Sequence, residues 1–201
     1  MNWIKKNLIM IHFNIKQFLK SFNILTDSEV DYFISQTVNQ SLNKGDYFIK
    51  EGETCMQVSF VLSGILRSYR TTNKGEEITY CLTFPNVFVT AYSSFITENK
   101  TQENIQAIDN VELITIEKRK LENLASTHVN WMKFLKVVAE QQYIELENRI
   151  FELQKNNALA RYQNLMKNHP EYVLKVSLGH LASYLGISQR HMSRIRKEIT
   201  Y

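Results

Sequence analysis

The chain has little of what usually makes a sequence extreme. Among 201 residues there are two cysteines, two prolines and six glycines. So few prolines and glycines exclude a disordered or low-complexity polymer. Cys55 and Cys81 stand alone and match no metal-ligand spacing. Buried reduced thiols of a cytoplasmic protein are the expectation, against a disulfide or a metal site. No long apolar run exists. The nearest, from Val129 to Ala139, is broken by Asn130, Lys133 and Lys136, so no membrane span is expected. The opening MNWIKKNLIMIHFNIKQFLK is broken by Asn7, His12 and Asn14 and lacks a small-residue cleavage site, and reads as an amphipathic helix instead of a signal peptide. No nucleophile–base arrangement, phosphate loop or His-rich metal motif occurs, and no enzyme is expected.

What remains is ordinary: 44% hydrophobic residues, 22% charged and a net charge of +4. The distribution of that charge is not ordinary. Residues 155–201 hold eight basic and two acidic residues, a net +6, leaving −2 on the other 154. A small basic module joined to a mildly acidic one points to a polyanion met by the C-terminal part alone.

The texture changes twice. Residues 1–40 read as helical, with Thr26 as N-cap and Glu29 three residues on. From Ser41 to Glu117 short β-prone runs alternate with turns. Gly45, Gly52, Gly64 and Gly75 recur every seven to twelve residues, the cadence of an antiparallel sandwich or barrel. A hairpin tip is expected at Asn73-Lys74-Gly75.

From Lys118 the pattern is helical again, with a long helix expected from Val129 to Asn156. Met132, Leu135, Ala139, Tyr143, Leu146, Ile150 and Leu153 step by three or four, nearly a heptad seam. Trp131, Phe134 and Val138 form a second stripe. Two stripes suit two partners, the β domain and another copy of the same helix; the alternative is a helix packed only on its own domain. Residues 158–169 form a further helix closed by Pro170.

The C-terminal run LASYLGISQRHMSRIRKEI reads as a helix-turn-helix. Ser177 caps a helix from Leu178 to Leu185, Ala182 is the small residue at the crossing, and Gly186 is the turn. Ser188 caps the second helix, which buries Met192, Ile195 and Ile199. Its other face carries Gln189, Arg190, Ser193, Arg194 and Lys197. Arginine can pair bidentately with guanine and glutamine with adenine. Ser188 and Lys197 are placed for phosphates. The alternative is a solvated basic face on a structural helix.

The order of these parts resembles the Crp/Fnr transcription regulators. The resemblance spans nearly the whole chain and is carried by KGDYFIKEGE, FVLSGILRSYR, NKGEE, FPNVFVTAYSSFIT and LASYLGISQRHMSRIRKEI. It implies an α+β protein. Residues 1–128 would be a cyclic-nucleotide-binding-like, jelly-roll-like β-roll (a double-stranded β-helix) with flanking helices. Residues 129–156 would be a dimerisation helix, and 157–201 a small all-α helix-turn-helix domain. It further implies a cytoplasmic homodimer on double-stranded DNA. In cyclic-AMP-binding members a segment resembling Phe-x-Gly-Glu-Leu, followed by Arg-Ser, holds the ligand. Here its glycine and glutamate positions hold Thr90 and Ala91, followed by Tyr92, and the arginine and serine positions hold Thr101 and Gln102. A buried phosphate without its arginine clamp is costly, so cyclic AMP is not expected, and any effector is another small molecule. The iron–sulfur branch needs an N-terminal cysteine cluster that residues 1–54 lack, and the five scattered histidines establish no haem ligand.

This chain also departs from the family in having Gln189-Arg190 where well-known members have Arg-Glu, which implies a different half-site preference. Only two residues follow Ile199 where most members continue into a wing, so the wing's contacts are expected to be missing. A ligand-binding or protein-interaction module with a vestigial helix-turn-helix is the alternative reading.

Overall fold

A computed structural model describes residues 15–199, so the amphipathic-helix reading of residues 1–14 lies outside the described residues. Helix opens the described chain at residues 15–21 (α1). Helix α2, Asp27–Ser35, starts with the anticipated capping box: Thr26 accepts from the Glu29 amide, and the Glu29 carboxylate accepts from the Thr26 amide at 2.8 Å. Eight strands follow: β1 (Val38–Leu42), β2 (Tyr47–Ile49), β3 (Gln57–Ser63), β4 (Leu66–Thr71), β5 (Glu77–Thr83), β6 (Phe88–Val89), β7 (Asn104–Ala107) and β8 (Val111–Glu117). A short helix, α3 (Tyr92–Thr97), interrupts them. The strands form two four-stranded antiparallel sheets, ordered β1-β8-β3-β6 and β2-β7-β4-β5. This is the β-roll that the family resemblance implied, and it agrees with the antiparallel architecture expected from the glycine cadence.

Helices complete the chain: α4 (Lys118–Thr127), α5 (Val129–Lys155), α6 (Ala158–Asn168), α7 (Pro170–Lys175), α8 (Leu178–Tyr184) and α9 (Gln189–Ile199). The α6 helix ends at Asn168, and Pro170 opens α7, a helix the sequence pattern did not suggest. Proline suits that first position because its missing N–H would have no intrahelical partner there.

The chain divides into two compact units. One comprises the residues up to Arg67 together with Thr83–Ala139; the other comprises Ser68–Leu82 and the residues from Glu140 onward. The first unit is built around Phe60, Leu113, Ile114 and Ile116 of the sheets, Phe33 of α2, and Trp131 and Phe134 of α5, all essentially buried. Trp131 stacks on Phe33 at 4.9 Å, and Phe134 meets Phe22 edge-on at 5.0 Å. Each such pair adds about 0.5–1.5 kcal/mol beyond the area it buries. The early stripe of α5 thus belongs to this core.

One glycine of the roll is fixed by space as well as by angle. Gly64 has φ +83°, and a Cβ there would stand 2.1 Å from the Asn110 carbonyl oxygen. The β3–β4 turn therefore needs glycine.

Lys118 is buried at the start of α4. Its Nζ donates to Glu98 at 2.8 Å, lies 3.6 Å from Glu122, and sits over the Phe95 ring at 5.4 Å. Glu98 is the left-handed residue that ends α3. The pair therefore clasps α3 to α4. The Lys118 hydrogen bond and charge hold the Glu98 carboxyl below its ordinary range, and the Glu98 hydrogen bond raises Lys118. The contribution of Glu98 is therefore present above its unfolded value of 4.5 and is lost as pH falls through its lower folded value. Glu98→Gln is expected to be less stable than wild type in urea near neutral pH. That gap should narrow as pH falls below 4.5 and close once Glu98 is protonated in the folded state.

Candidate nucleic-acid interface

The second unit carries the helix-turn-helix. Ser177 accepts from the His180 amide at 3.2 Å and starts α8. Gly186 takes φ +67°, and its amide donates to Ser183 while the Ile187 amide donates to Ala182, both at 3.0 Å. These bonds satisfy carbonyls that the end of α8 would otherwise leave open. Ser188 accepts from the His191 amide at 3.2 Å and starts α9. Leu181, Ala182, Leu185, Met192 and Ile195 are buried between the two helices. The side chain of Ile199 lies outside the described residues.

Burying Met192 and Ile195 turns the opposite face of α9 outward. Gln189, Arg190, Arg194 and Lys197 are exposed and Ser193 is half-buried. The Gln189 side chain lies against Gly179 of α8. The Ser193 hydroxyl donates to the Gln189 carbonyl at 3.0 Å, so its proton is committed and its lone pairs face out. None of Arg190, Arg194 and Lys197 has an ion-pair partner among the described residues. Three cations on one row, with no carboxylate to neutralise them, can meet phosphates and acceptor-rich base edges.

Two arginines brace the end of α8. Arg149 of α5 donates to the Tyr184 carbonyl, and its guanidinium lies 3.9 Å from the centre of the Tyr184 ring. Arg161 of α6 donates through Nε to the Leu185 carbonyl at 3.0 Å and through Nη1 to the Asn156 carbonyl at 2.5 Å. These carbonyls are at the ends of α8 and α5, where intrahelical donors run out and the helix dipole favours a cation. A polar cleft opens beside them, also lined by Glu152, Asn164 and His169. Sequence inspection counted Arg161 among basic residues and overlooked Arg149, because nothing local shows which carbonyls they reach.

The late stripe of α5 is open. Met132, Tyr143, Leu146, Ile150 and Leu153 are all exposed, Tyr143 by 67%. Leu135 and Ala139 are exceptions: both are half-buried, and Leu135 packs partly on the core of the first unit.

The segment aligned with a nucleotide pocket is tied to itself. The Thr90 hydroxyl donates to the Gln57 carbonyl at 2.9 Å and lies 3.3 Å from Cys55 Sγ. Ala91 is fully buried ahead of α3, whereas Tyr92 is half exposed. Ser94 receives the Cys55 amide at 2.9 Å and donates to the Asn99 carbonyl. Thr101 is buried, receives the Gly52 amide on its carbonyl and donates its own amide to Glu53. Gln102 is exposed. Both ends of the segment are thereby sewn to residues 52–57. The buried free thiol of Cys55 was expected, but its bonds and those of Ser94 to this segment were not, and no spacing rule would have found them. Among the described residues no cluster of three or more His, Cys, Asp or Glu could hold a metal ion, and no helix is long and apolar enough to cross a membrane.

Residues 39–128 match the family model of the cyclic nucleotide-binding domain. Comparison with curated protein sequences gives no match. Among solved structures, FixK2 from Bradyrhizobium japonicum superposes with a TM-score of 0.73 at 18% identity, covering 82% of this chain and 84% of that one. CLP, a c-di-GMP-responsive global regulator from Xanthomonas campestris, gives 0.69 at 15% identity, covering 87% and 92%. A Crp/Fnr-family transcriptional regulator from Eubacterium rectale gives 0.70 at 17%, covering 92% and 88%. With the β-roll, the long helix and the helix-turn-helix in this order, residues 39–128 resemble a cyclic nucleotide-binding domain and the chain has the fold of these Crp/Fnr-type structures.

Proposed function

We propose that the chain is a dimeric, DNA-binding transcription regulator of Crp/Fnr type that does not use cyclic AMP. The observation that carries the reading is the division of α9: Met192 and Ile195 are buried while Gln189, Arg190, Arg194 and Lys197 stand outward. A structural helix has no need of a cation row without carboxylate partners. On this reading Arg194, Arg190 and Gln189 meet base edges in the major groove, with Ser193 beside them. Ser188 and Lys197 meet phosphates. The protein works in the cytoplasm, where DNA is found.

Dimerisation follows from α5. Tyr143, Leu146, Ile150 and Leu153 repeat along its exposed face at heptad-like steps. Large apolar side chains repeated in this way suit a second copy of the same helix. Two readers on paired helices suit a site of two half-sites about one helical turn apart.

On this reading the segment aligned with the family's nucleotide contacts is not built to hold a cyclic phosphate. Thr90, Ala91 and Thr101 replace the family's polar and cationic contacts, and the Thr90 hydroxyl is occupied by Gln57 and Cys55. The Lys118 ammonium is engaged by Glu98 and Glu122. An effector of different chemistry, or none, is consistent with this segment.

Three measurements test the reading. Against a duplex that the wild type selects from a random pool, Arg194→Ala should cost about 1–3 kcal/mol and relax base preference at one position. Lys197→Ala should weaken all sequences alike and lower the salt slope by about 1. Unchanged binding by Arg194→Ala would remove α9 as the reader. Leu146→Asp, at an exposed position, should convert a dimer to a monomer in sedimentation equilibrium while leaving the fold intact. Titration calorimetry with cyclic AMP and cyclic GMP should show no specific heat; a micromolar affinity would overturn the reading of Thr90, Ala91 and Thr101.

A further inference from the structure

Most of the β4–β5 hairpin belongs to the second unit. Residues 68–82 group with the C-terminal helices. Strand β5 is the outermost strand of its sheet, so among the described residues one of its edges has no strand partner. Thr79 at that edge is nevertheless buried, with 2% exposure. A buried backbone N–H needs an acceptor. It finds one in a side chain of the helix-turn-helix: the Thr79 amide donates to Ser183 Oγ at 2.8 Å. The same hydroxyl donates to the Glu77 carbonyl at 3.1 Å. Ser183 therefore presents to the strand edge the donor and acceptor that a neighbouring strand would present. Tyr172 of α7 adds a second tie, its phenol donating to the Leu82 carbonyl at 3.1 Å and its ring meeting Tyr184 at 6.0 Å. Burial holds the Tyr172 phenol protonated as that donor.

Neither residue belongs to the row that faces outward from α9. Ser183 lies on the first helix of the motif, one residue before the Tyr184 carbonyl that Arg149 engages. The hairpin and the arginine thus grip the same end of α8 and leave Gln189, Arg190, Arg194 and Lys197 exposed.

We infer that Ser183 is a positioning residue: by closing the β5 edge it fixes α8, and through α8 the recognition helix, at one attitude to the α5 helix. This inference rests on the DNA-binding reading above. A fixed attitude matters when two readers must fit two half-sites at a set spacing. It matters little to one reader on one half-site.

The test uses the full chain with Ser183→Ala, Ser183→Thr and Tyr172→Phe, against a two-half-site duplex selected by wild type and a duplex holding one of those half-sites. In the free protein, Ser183→Ala should speed hydrogen exchange of the Thr79 amide at least about tenfold. It should weaken the two-half-site duplex by about three- to tenfold and the single half-site by less than about twofold. Ser183→Thr, which keeps the hydroxyl, should restore both, and Tyr172→Phe should reproduce a smaller loss. Unchanged Thr79 exchange with unchanged affinity overturns the inference. So does an equal loss on both duplexes, which marks general destabilisation, or tighter binding, which marks a docked state that holds the reader off. Failure of the wild type to select any duplex defeats the DNA-binding reading itself, whereas Thr79 exchange reports on the hairpin independently of DNA.

Discussion

The end of α8 is where the second unit is decided. Tyr184 and Leu185 present carbonyls that no helical amide can reach, and two guanidiniums take them. Arg149 comes from α5 and Arg161 from α6, so one short turn is held from two directions. Lysine could not replace either easily: a planar fork reaches carbonyls and stacks on a ring at once. Arg161 also takes the Asn156 carbonyl beyond the last turn of α5, which joins the finish of the long helix to the finish of α8. The placement of α9 follows, because Gly186 and Ile187 leave it no slack between that anchored end and the Ser188 cap.

The two units are held by different means. The first is an aromatic and aliphatic core, in which Phe33, Phe60, Trp131 and Phe134 exclude water over a large area. The second has a smaller apolar centre around Leu181, Leu185, Met192 and Ile195, and adds polar ties that must be met once buried. Thr79, Tyr172 and the α8 carbonyls are such groups. The first kind of core tolerates small shifts. The second kind is directional, and suits a module whose value lies in orientation.

Legibility in the sequence followed distance along the chain. The Thr26–Glu29 capping box, the Ser177 and Ser188 caps, Ala182 and Gly186 are local rules, and each was readable from spacing. So was the split of α5 into two stripes, except that Leu135 was placed on the exposed seam and packs partly on the core. Helix α7 was missed because Pro170 was read only as a stop, although proline serves equally at a helix start. The partners of Ser183, Tyr172, Arg149 and Arg161 could not be read at all. A hydroxyl that completes a strand edge looks, in sequence, like any serine on a helix. The Cys55–Thr90–Ser94 network was hidden for the same reason. The resemblance could show where Thr90 and Thr101 stand relative to the family's ligand contacts, but not that the Thr90 hydroxyl bonds to the Gln57 carbonyl.

The hairpin that Ser183 caps also sets a timetable for the nascent chain. Thr79 waits for a partner 104 residues downstream, and Leu82 for one 90 residues downstream. Contacts at such separations form late and slow folding, because a long loop must close before they return anything. During synthesis β5 therefore emerges with an open edge well before its cap exists. An unpaired edge is a template for pairing with another chain. The exposed charges leading into it, Arg70 and Lys74 with Glu76 and Glu77, disfavour strand-to-strand association in that interval. A fragment holding only the last sixty residues would lack the hairpin altogether and leave Ser183 with no edge to close.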